Sequence, residues 1–495
     1  MNERHGLHWP LDAAGRPSSG APGRTILAAA LQDLAPEAAA ALLAERDWRR
    51  AYPRHWRALV AAQLHQPGAV VASARAGLAA AHQTLPFWRD GRALPLPQAM
   101  AAPRTALQTL TLAGQGDARP RPWAVPWQGR LLQGDELARQ LDRWAADGLC
   151  EPGHVQALHE ARAHPEWFDL SDQQLVLLGA GSEAGPLPLL AGWRARILAV
   201  EPAGSRAWPR IAAAIAAGNA TLQAPVAAGR TPGLDTAGAD LLTDTPEIAA
   251  WLAGFSADGP LAIASLAYLD GERHVRVSLA MDAIAAALCD ADARTRLAYM
   301  ATPTDLFAVP EALARAVQAR AARQGPAQRL GAGLLRTLSG GRLYAPHLAG
   351  LETLTDGAGP ATWGLVDALV LQQGPNYALA KRLQQWRALT AHADGHEVSF
   401  AVAPSTTTAS VVSNPLLAAA FRGAPAFGVQ AFAPDTTRAL MAGLWVHRLR
   451  SPRPAFRHPL ELLVQRAHHG GLWSLPWLPR SVLPLAALLG LTLRR

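Results

Sequence analysis

Lysine is almost missing from this chain of 495 residues, because only Lys381 among its 46 basic lysine and arginine residues is a lysine. Asparagine is also scarce and occurs only at four positions, whereas alanine is abundant throughout. This bias is typical of a GC-rich genome, so it weakens composition as a functional signal. The presence of a single lysine therefore needs its own explanation.

Cysteine is equally sparse, with only Cys150 and Cys289. Two cysteines so far apart exclude both a disulfide framework and a cysteine metal knuckle. The histidines of the N-terminal half are scattered, without the spacing of a metal-binding motif. The sequence therefore predicts no metal site.

Long apolar runs are absent too. No uncharged stretch approaches the roughly 18 residues of a membrane span, and the N-terminus has no apolar core of a secretory signal. We therefore expect a cytoplasmic protein. Its net charge of +8 comes from scattered arginines without a dense basic block, which argues against nucleic-acid binding.

The chain divides by composition into several parts. Helical spacing begins at Thr25 and returns after a stretch rich in Pro, Gly and Trp over 83–135. Short apolar runs alternate with helical segments from Asp172 onward. The predicted parts are a loose tail over 1–24, a mainly helical accessory domain over 25–170, a catalytic α/β domain over 171–450 and a basic, Trp-containing segment over 451–495.

The second half has the pattern of a parallel sheet. QQLVLLGAG, ARILAVEP and the runs at 259–268, 296–303 and 396–404 resemble strands buried on both faces, with helical segments between them. This alternation predicts a doubly wound, Rossmann-type parallel sheet preceded by a mainly helical N-terminal region. Ligands of such sheets bind at the carboxyl ends of the strands.

A glycine turn follows the first of these strands, with Gly179, Gly181 and Gly185. Glycine lets a backbone approach a pyrophosphate closely, and the next helix would offer it free N–H groups. Glu201 ends the second strand, where a carboxylate can bind the ribose of NAD and disfavour the extra phosphate of NADP. Three nearby arginines could offset that preference, namely Arg194, Arg196 and Arg206.

The same turn also suits two other kinds of protein. Methyltransferases that use S-adenosylmethionine combine a strand, a Gly-x-Gly turn and an acid after the next strand. A Rossmann-like shell without nucleotide is a further alternative. The turn alone does not separate these readings.

The single lysine stands four residues after a tyrosine, in GPNYALAK. Tyr377 and Lys381 therefore share one face of a helix. An ammonium near a phenol stabilises the phenolate, and the pair can then transfer a proton near neutral pH. Arginine's planar fork would not replace a compact ammonium in this role. An ordinary exposed helix lysine is the alternative.

Tyr377-x-x-x-Lys381 resembles the active-site motif of the short-chain dehydrogenase/reductase superfamily. The following strand ends at Pro404-Ser405 with Thr406, Thr407 and Thr408, where the family has Pro-Gly and a threonine at the nicotinamide. The resemblance covers about residues 172–450. It implies NAD or NADP as cofactor, hydride transfer to or from a carbonyl, alcohol or enoyl group, and cofactor contacts from Pro404 and Thr407.

The sequence departs from the family pattern at three places. Glu183 occupies a usual glycine position, SLAYLDG replaces the Asn-Asn-Ala-Gly element, and Gly364 stands at the spacing of the catalytic serine. If residues 305–370 are an insertion, Thr302 or Thr304 can replace that serine, since a threonine hydroxyl also polarises a carbonyl. Otherwise the protein is a catalytically silent relative that binds nucleotide.

Two further polar features have both structural and functional interpretations. Asp270, Glu272, His274 and Asp282 can line the site, although a turn and a solvated helix start explain them more simply. Asp305 is either an active-site acid or a helix cap.

The C-terminal segment combines many arginines, Trp473, Trp477 and the apolar run SVLPLAALLGL. Such a segment can contact a membrane surface peripherally, at the inner face, or dock on the protein's own core or on a second copy in a homo-oligomer. The apolar, Trp-rich surroundings also suggest a lipid-like small-molecule substrate.

Overall fold

The computed structural model describes residues 4–356 and 359–493, and it has a mixed α/β architecture. The strands are β1 Gly6–Leu7, β2 Phe87–Arg89, β3 Arg92–Leu94, β4 Gln108–Ala113, β5 Val125–Trp127, β6 Arg130–Leu132, β7 Gln174–Leu178, β8 Arg196–Val200, β9 Thr221–Val226, β10 Leu261–Ser265, β11 Arg296–Ala301, β12 Leu306–Pro310, β13 Leu348–Asp356, β14 Gly359–Asp367 and β15 Val398–Val402.

The α-helices follow the same chain order. They are α1 Gly20–Leu31, α2 Pro36–Leu43, α3 Trp48–His65, α4 Val70–Thr84, α5 Leu96–Met100, α6 Gly134–Ala146, α7 Pro152–Ala163, α8 Leu187–Leu190, α9 Trp208–Ala217, α10 Thr245–Ala253, α11 Glu272–Ala291, α12 Glu311–Ala322, α13 Pro326–Leu338, α14 Gly374–Ala393, α15 Ala409–Val412, α16 Pro415–Gly423, α17 Pro434–Arg450 and α18 Pro479–Thr492.

A seven-stranded sheet forms the centre of the protein, in the order β15-β11-β10-β7-β8-β9-β4. Its first six strands in this order are parallel, and β4 pairs antiparallel with β9 at the edge. The prediction of a mainly parallel α/β sheet is therefore confirmed. All five apolar runs noted in the sequence belong to it as β7, β8, β10, β11 and β15.

The parallel strands are buried on both faces, which explains their continuous apolar runs. Val176 and Leu178 belong to one hydrophobic cluster, whereas Leu175 and Leu177 belong to a second cluster. Since successive side chains of a strand point to opposite faces, each cluster covers one face of the sheet. The carboxyl ends of the strands remain the place where a site can form.

The N-terminal region differs from the predicted loose tail and separate accessory domain. Leu7 and Trp9 are fully buried, and the Leu7 N–H donates to the Leu242 carbonyl at 2.8 Å. Helix α4 packs directly on α14, where a side chain at Gly77 would collide with the Trp386 ring. The N-terminal helices therefore complete the core of the α/β sheet.

The stretch over 83–135, which the sequence shows as irregular, contains five short strands. Two pairs form tight hairpins, β2 with β3 and β5 with β6. Strand β4 extends the central sheet next to β9, a strand that the apolar pattern did not reveal. Part of the presumed accessory region is thus an edge of the central sheet.

The segment between β11 and α14 forms its own small unit, in the place of the predicted insertion over 305–370. Strands β12, β14 and β13 make a three-stranded antiparallel sheet, in that order. Helices α12 and α13 connect β12 to β13. The chain then enters α14, which carries the Tyr–Lys pair.

The C-terminal segment packs onto the rest of the chain. Trp473 is fully buried and its Nε1–H donates to the Pro303 carbonyl at 2.9 Å. Helix α18 crosses α16 at backbone contact distance, because a side chain at Gly423 or Gly490 would overlap a carbonyl of the other helix. No described helix is long and apolar enough to cross a bilayer.

Candidate functional site

A cavity of about 590 Å³ opens where the parallel strands end, and we call it the glycine-turn cavity. Its lining includes Gly179, Gly181 and Glu183 after β7, Glu201 after β8, Asp240 after β9, Tyr268 after β10, Thr302 and Thr304 after β11, Pro404, Thr406 and Thr408 after β15, and Tyr377 and Lys381 on α14. Residues that lie far apart in the sequence therefore meet at one edge of the sheet, as expected for parallel strands.

Two positions of the turn must be glycine because neighbouring segments of the chain lie too close for a side chain. Gly179 has a φ of +96°, and a Cβ there would lie 2.6 Å from the Ala267 backbone. A Cβ on Gly181 would lie 2.5 Å from the Ala207 Cβ and 2.8 Å from a Glu201 oxygen. The turn thus presents bare backbone to the cavity.

The helix after the turn is shorter than expected. Helix α8 begins only at Leu187 and contains four residues with a proline among them, so it does not offer a long helix N-terminus to a pyrophosphate. Gly185 lies outside the cavity lining, and its carbonyl accepts a hydrogen bond from Arg438 Nε at 2.9 Å. The structure therefore does not bring Gly185 into the cavity with Gly179 and Gly181, and Gly185 instead joins the turn to α17.

Glu201 is held in place by the turn itself. One carboxylate oxygen accepts the Gly181 N–H at 2.9 Å, and the other accepts the Ser205 hydroxyl at 2.6 Å. Arg196 lies at the other end of β8, and the adjacent Arg194 pairs with Asp169 at 2.7 Å. The suggestion that these two arginines offset the Glu201 charge is therefore wrong.

Tyr377 and Lys381 lie one turn apart on α14, with Lys381 Nζ 5.8 Å from the centre of the Tyr377 ring. The Lys381 ammonium also donates to Gln384 Oε1 at 3.3 Å. Burial lowers the pKa of Lys381 to about 8. Burial also raises the pKa of Tyr377, and hydrogen bonding to the hydroxyls of Thr302 and Thr304 partly offsets that rise.

Both threonines predicted to replace the catalytic serine lie beside Tyr377. Their hydroxyl oxygens are 2.8 Å apart, and the Thr304 N–H donates to Thr302 Oγ1 at 3.3 Å. They occupy the segment directly after β11, which positions both side chains at the carboxyl edge of the sheet. Tyr377, Thr302 and Thr304 therefore form one hydroxyl cluster in the cavity wall.

Asp305 links the segment that carries the two threonines to helix α14. It is fully buried and accepts hydrogen bonds from Arg382 at 3.1 Å and from Gln385 at 2.7 Å, both on α14. Burial raises the pKa of Asp305, and the Arg382 guanidinium opposes that rise. Asp305 is therefore neither an active-site acid nor a helix cap, but an anchor between the end of β11 and the helix of the Tyr–Lys pair.

The threonine run after β15 is oriented differently from the prediction. Thr407 lies outside the cavity lining, and its N–H and hydroxyl both donate to the Phe432 carbonyl, at 2.9 and 3.2 Å. Pro404, Thr406 and Thr408 line the cavity. The structure therefore does not bring Thr407 into the cavity, and its two neighbours line the cavity instead.

The polar cluster around Asp270 separates into parts with different roles. Asp270 is exposed and accepts the Tyr268 hydroxyl at 2.9 Å, and Glu272 pairs with Arg276. Asp282 is buried and binds both His82 and Arg387. Of the four, only His274 lies against Tyr377. The turn and the solvated helix start account for Asp270 and Glu272, whereas Asp282 is a buried ion-pair partner, which neither interpretation predicts.

His274 belongs to the polar cluster named in the sequence, but its contact with Tyr377 was not predicted. It is 1% exposed and stacks on Tyr377, with ring centres 5.4 Å apart and an angle of 27°. Burial, together with the Lys381 charge, lowers its pKa well below the usual value, which keeps the ring neutral. Neither of its ring nitrogens has a hydrogen-bond partner among the described residues. Its alignment with Tyr377 depends on packing between α11 and α14, which no local motif signals.

Asp240 was also missed, although GADLLTD follows β9. Its carboxylate accepts the Leu242 N–H at 2.8 Å, and it lines the cavity beyond Glu201. Recognition of β9 as a strand would have placed Asp240 at the same edge of the sheet.

No cluster of metal-ligating side chains occurs in residues 4–356 and 359–493. Comparisons of this chain with protein-family models, curated proteins and solved structures give no significant match.

Proposed function

We propose that the protein is an NAD(P)-dependent oxidoreductase of short-chain dehydrogenase/reductase type. The observation that carries the proposal is the Tyr377 phenol beside Thr302 and Thr304, with Lys381 one turn away, in the wall of a cavity that begins at a glycine turn. This combination supplies proton transfer next to a place where a dinucleotide fits.

The sheet order supports a dinucleotide as the ligand. From β7 the chain continues to β8 and β9 on one side, and to β10, β11 and β15 on the other. A dinucleotide binds across the point where this order reverses, at the carboxyl ends of the strands, and the glycine-turn cavity lies there. We infer a doubly wound, Rossmann-type arrangement on this basis.

The residues of the cavity fit the two ends of such a cofactor. The bare backbone at Gly179 and Gly181 admits a pyrophosphate, and Glu201 would bind the adenosine ribose. Its negative charge favours NAD over NADP. Lys381 would bind the nicotinamide ribose, close to Thr406.

The cofactor would supply the hydride equivalent, and side chains of this protein would transfer the proton. During reduction, the Tyr377 hydroxyl donates its proton to the carbonyl oxygen as negative charge develops there. Thr302 or Thr304 donates a hydrogen bond to the same oxygen and orients it. The Lys381 charge stabilises the phenolate that remains, and solvent later returns the proton.

Titration of NADH, NADPH and S-adenosylmethionine tests this proposal on wild type, Tyr377→Phe and the control Tyr344→Phe, which makes the same change outside the cavity. We expect NADH to bind all three proteins. Turnover of a carbonyl panel should fall by about a hundredfold or more in Tyr377→Phe only, since a positioned acid contributes that much.

Two results would contradict the proposal. Binding of S-adenosylmethionine alone would identify a methyltransferase. The observation that favours this alternative is the short helix α8 of four residues, because S-adenosylmethionine has no pyrophosphate that needs a helix N-terminus. Nicotinamide binding without turnover of any carbonyl would identify a silent nucleotide-binding relative.

A further inference from the structure

A second cavity of about 520 Å³ adjoins the glycine-turn cavity, and we call it the apolar cavity. Tyr268, Thr304, Tyr377 and Ser405 line both cavities. Tyr377 therefore stands at their junction, where a group bound in one cavity can meet a group bound in the other. The volume falls within the range of about 300–1,000 Å³ that is usual for sites that enclose a small molecule.

The walls of this cavity are apolar where they are buried. Ala420 on α16, Val482 and Ala486 on α18, and Leu472 and Leu475 before α18 are each less than 10% exposed. The charged lining residues Arg49 and Asp270 are exposed, so they belong to the rim. A chain of methylene groups would therefore be buried at this wall without leaving a charge unpaired.

One buried polar group interrupts this apolar lining. His274 lies in the cavity wall beside Tyr377, neutral and with both ring nitrogens unpartnered among the described residues. A buried polar group without a partner is costly, so such a group in a cavity wall indicates a ligand with a matching oxygen.

We propose that the apolar cavity binds a long-chain aliphatic carbonyl compound, or the corresponding alcohol. Its oxygen would lie at Tyr377 and His274, and its chain along Ala420, Leu472 and Val482. That the carbonyl reacts depends on the proposed oxidoreductase function. That the aliphatic chain of the ligand binds in the apolar cavity does not depend on it. Burial of each methylene group should raise affinity about fourfold until the cavity is full.

The test compares butanal, octanal and dodecanal on wild type, Ala420→Phe and the control Ala418→Phe. Ala418 is on the same helix but outside the cavity lining. We expect kcat/KM of wild type to rise about fourfold per methylene group. Ala420→Phe fills the cavity, so it should remove the rise in kcat/KM with chain length, whereas Ala418→Phe should keep that rise. Equal kcat/KM across the series, or equal loss in both variants, would overturn the proposal.

A binding assay keeps this test separate from the oxidoreductase proposal. Nile red fluorescence reports an apolar site without cofactor, and dodecanol should displace the dye whereas butanol should not. Displacement that Ala420→Phe weakens at least about tenfold supports the apolar site even if no aldehyde is turned over. Displacement that is insensitive to Ala420→Phe would overturn it.

Helix α13 carries an independent second proposal. Leu330, Leu334 and Leu338 are 75, 60 and 75% exposed and lie on one helix face, and the helix has no buried residue. Arg329 and Arg336 lie on the opposite face. The sequence from Ala312 to Leu351 contains six arginines and no acid.

We infer that α13 lies on an anionic membrane surface, with its leucines in the lipid and its arginines near the headgroups. Basic charge and an apolar stripe on one helix are the two features of such a contact. Of the two C-terminal tryptophans, Trp473 is fully buried and so presents no ring to such a surface.

Co-sedimentation tests this with vesicles of phosphatidylcholine alone and with added phosphatidylglycerol. We expect wild type to bind only the anionic vesicles, Leu334→Glu to lose at least about tenfold in binding, and Leu131→Glu, equally exposed on β6, to bind as wild type. Absence of wild-type binding, binding by Leu334→Glu, or self-association in place of lipid binding would overturn the inference.

Discussion

Replacement of Lys381 by methionine separates the chemical role of the lysine from its effect on stability. Lys381 Nζ lies 5.8 Å from the centre of the Tyr377 ring, and its side chain is held in a largely buried position. Methionine keeps the length and most of the volume of the side chain but removes the charge. The substitution therefore tests electrostatics with little change in packing.

The size of the effect follows from the separation of the two groups. With the phenolate charge taken at the ring centre, 5.8 Å from Nζ, and an effective dielectric constant of about 20, a unit charge stabilises the phenolate by about 3 kcal/mol. That energy corresponds to about two pKa units. Lys381→Met should therefore move the pH dependence of alcohol oxidation, which requires the phenolate, to higher pH by up to about two units.

The same substitution should make the protein more stable at neutral pH. Burial lowers the pKa of Lys381 from 10.5 to about 8, so the charged form is disfavoured in the folded state below about pH 8. Such a shift costs up to about 3 kcal/mol, which methionine would recover in part. Because the folded pKa is the lower one, this cost fades as the pH rises from about 8 towards 10.5.

Measurement of kcat/KM for alcohol oxidation from pH 6 to about 10, beside urea unfolding at pH 7, checks both expectations. Lower activity with equal or higher stability excludes partial unfolding as the cause. An unchanged pH profile would refute the electrostatic role of Lys381. Full activity of Lys381→Arg would remove the reason for retaining a single lysine.

Three further changes test other parts of the site and its support. Gly181→Ala places a Cβ 2.5 Å from a neighbouring Cβ, so NADH affinity should fall at least about tenfold in a calorimetric titration, while the apolar dye binds unchanged. Asp282→Ala leaves Arg387 unpaired in the core and should cost about 3–5 kcal/mol in urea unfolding, whereas Glu136→Ala removes an exposed pair with Arg130 and should have little effect. The pKa of Asp282 lies below its usual range, so the contribution of this pair should be present above about pH 4 and lost as the pH falls. His274→Phe keeps a stacked ring but cannot make the proposed hydrogen bond to the substrate oxygen. KM for dodecanal should therefore rise about two- to tenfold with kcat less affected, and a loss of kcat alone would contradict substrate binding by His274.

The central sheet was largely predictable because its strands are buried on both faces. Each residue of β7, β10 and β15 is buried, so these strands appear in the sequence as uninterrupted apolar runs. Strand β4 is an edge strand with no fully buried residue, and its pattern resembles the surrounding turns. The edge of the sheet was therefore the part that the pattern did not reveal.

The N-terminal tail illustrates a different limit. Leu7 and Trp9 are two apolar residues in a polar stretch with many turn formers, which predicts disorder when the stretch is considered alone. They are buried because α11 offers them partners: Arg276 Nε donates to the Leu7 carbonyl at 2.7 Å, and Trp9 Nε1 donates to the Glu272 carbonyl at 3.3 Å. Such contacts span more than 260 residues of sequence and leave no periodic signal.

In the candidate site too, the residues placed by local structure were predictable and those placed by tertiary packing were not. Residues whose placement depends on one strand end or one helix turn, such as Gly181, Glu201 and the Tyr–Lys pair, lie where the sequence predicts them. Thr407 was misplaced by one position, because a short loop after a strand does not fix which side chain faces the cavity. The contact of His274 with Tyr377 was not predicted, because it depends on the packing of α11 against α14.

Asp305 explains why the Tyr–Lys helix can carry this site at all. A buried lysine and a buried tyrosine on one helix weaken its packing, since each prefers contact with water. On the same helix, Arg382 and Gln385 bind the buried Asp305 and fix α14 to the segment that presents Thr302 and Thr304. The carboxylate also raises the pKa of Lys381 and so favours its charged form. One buried acid thus orients the hydroxyl cluster and partly offsets the effect of burial on the neighbouring ammonium, although it lines neither cavity.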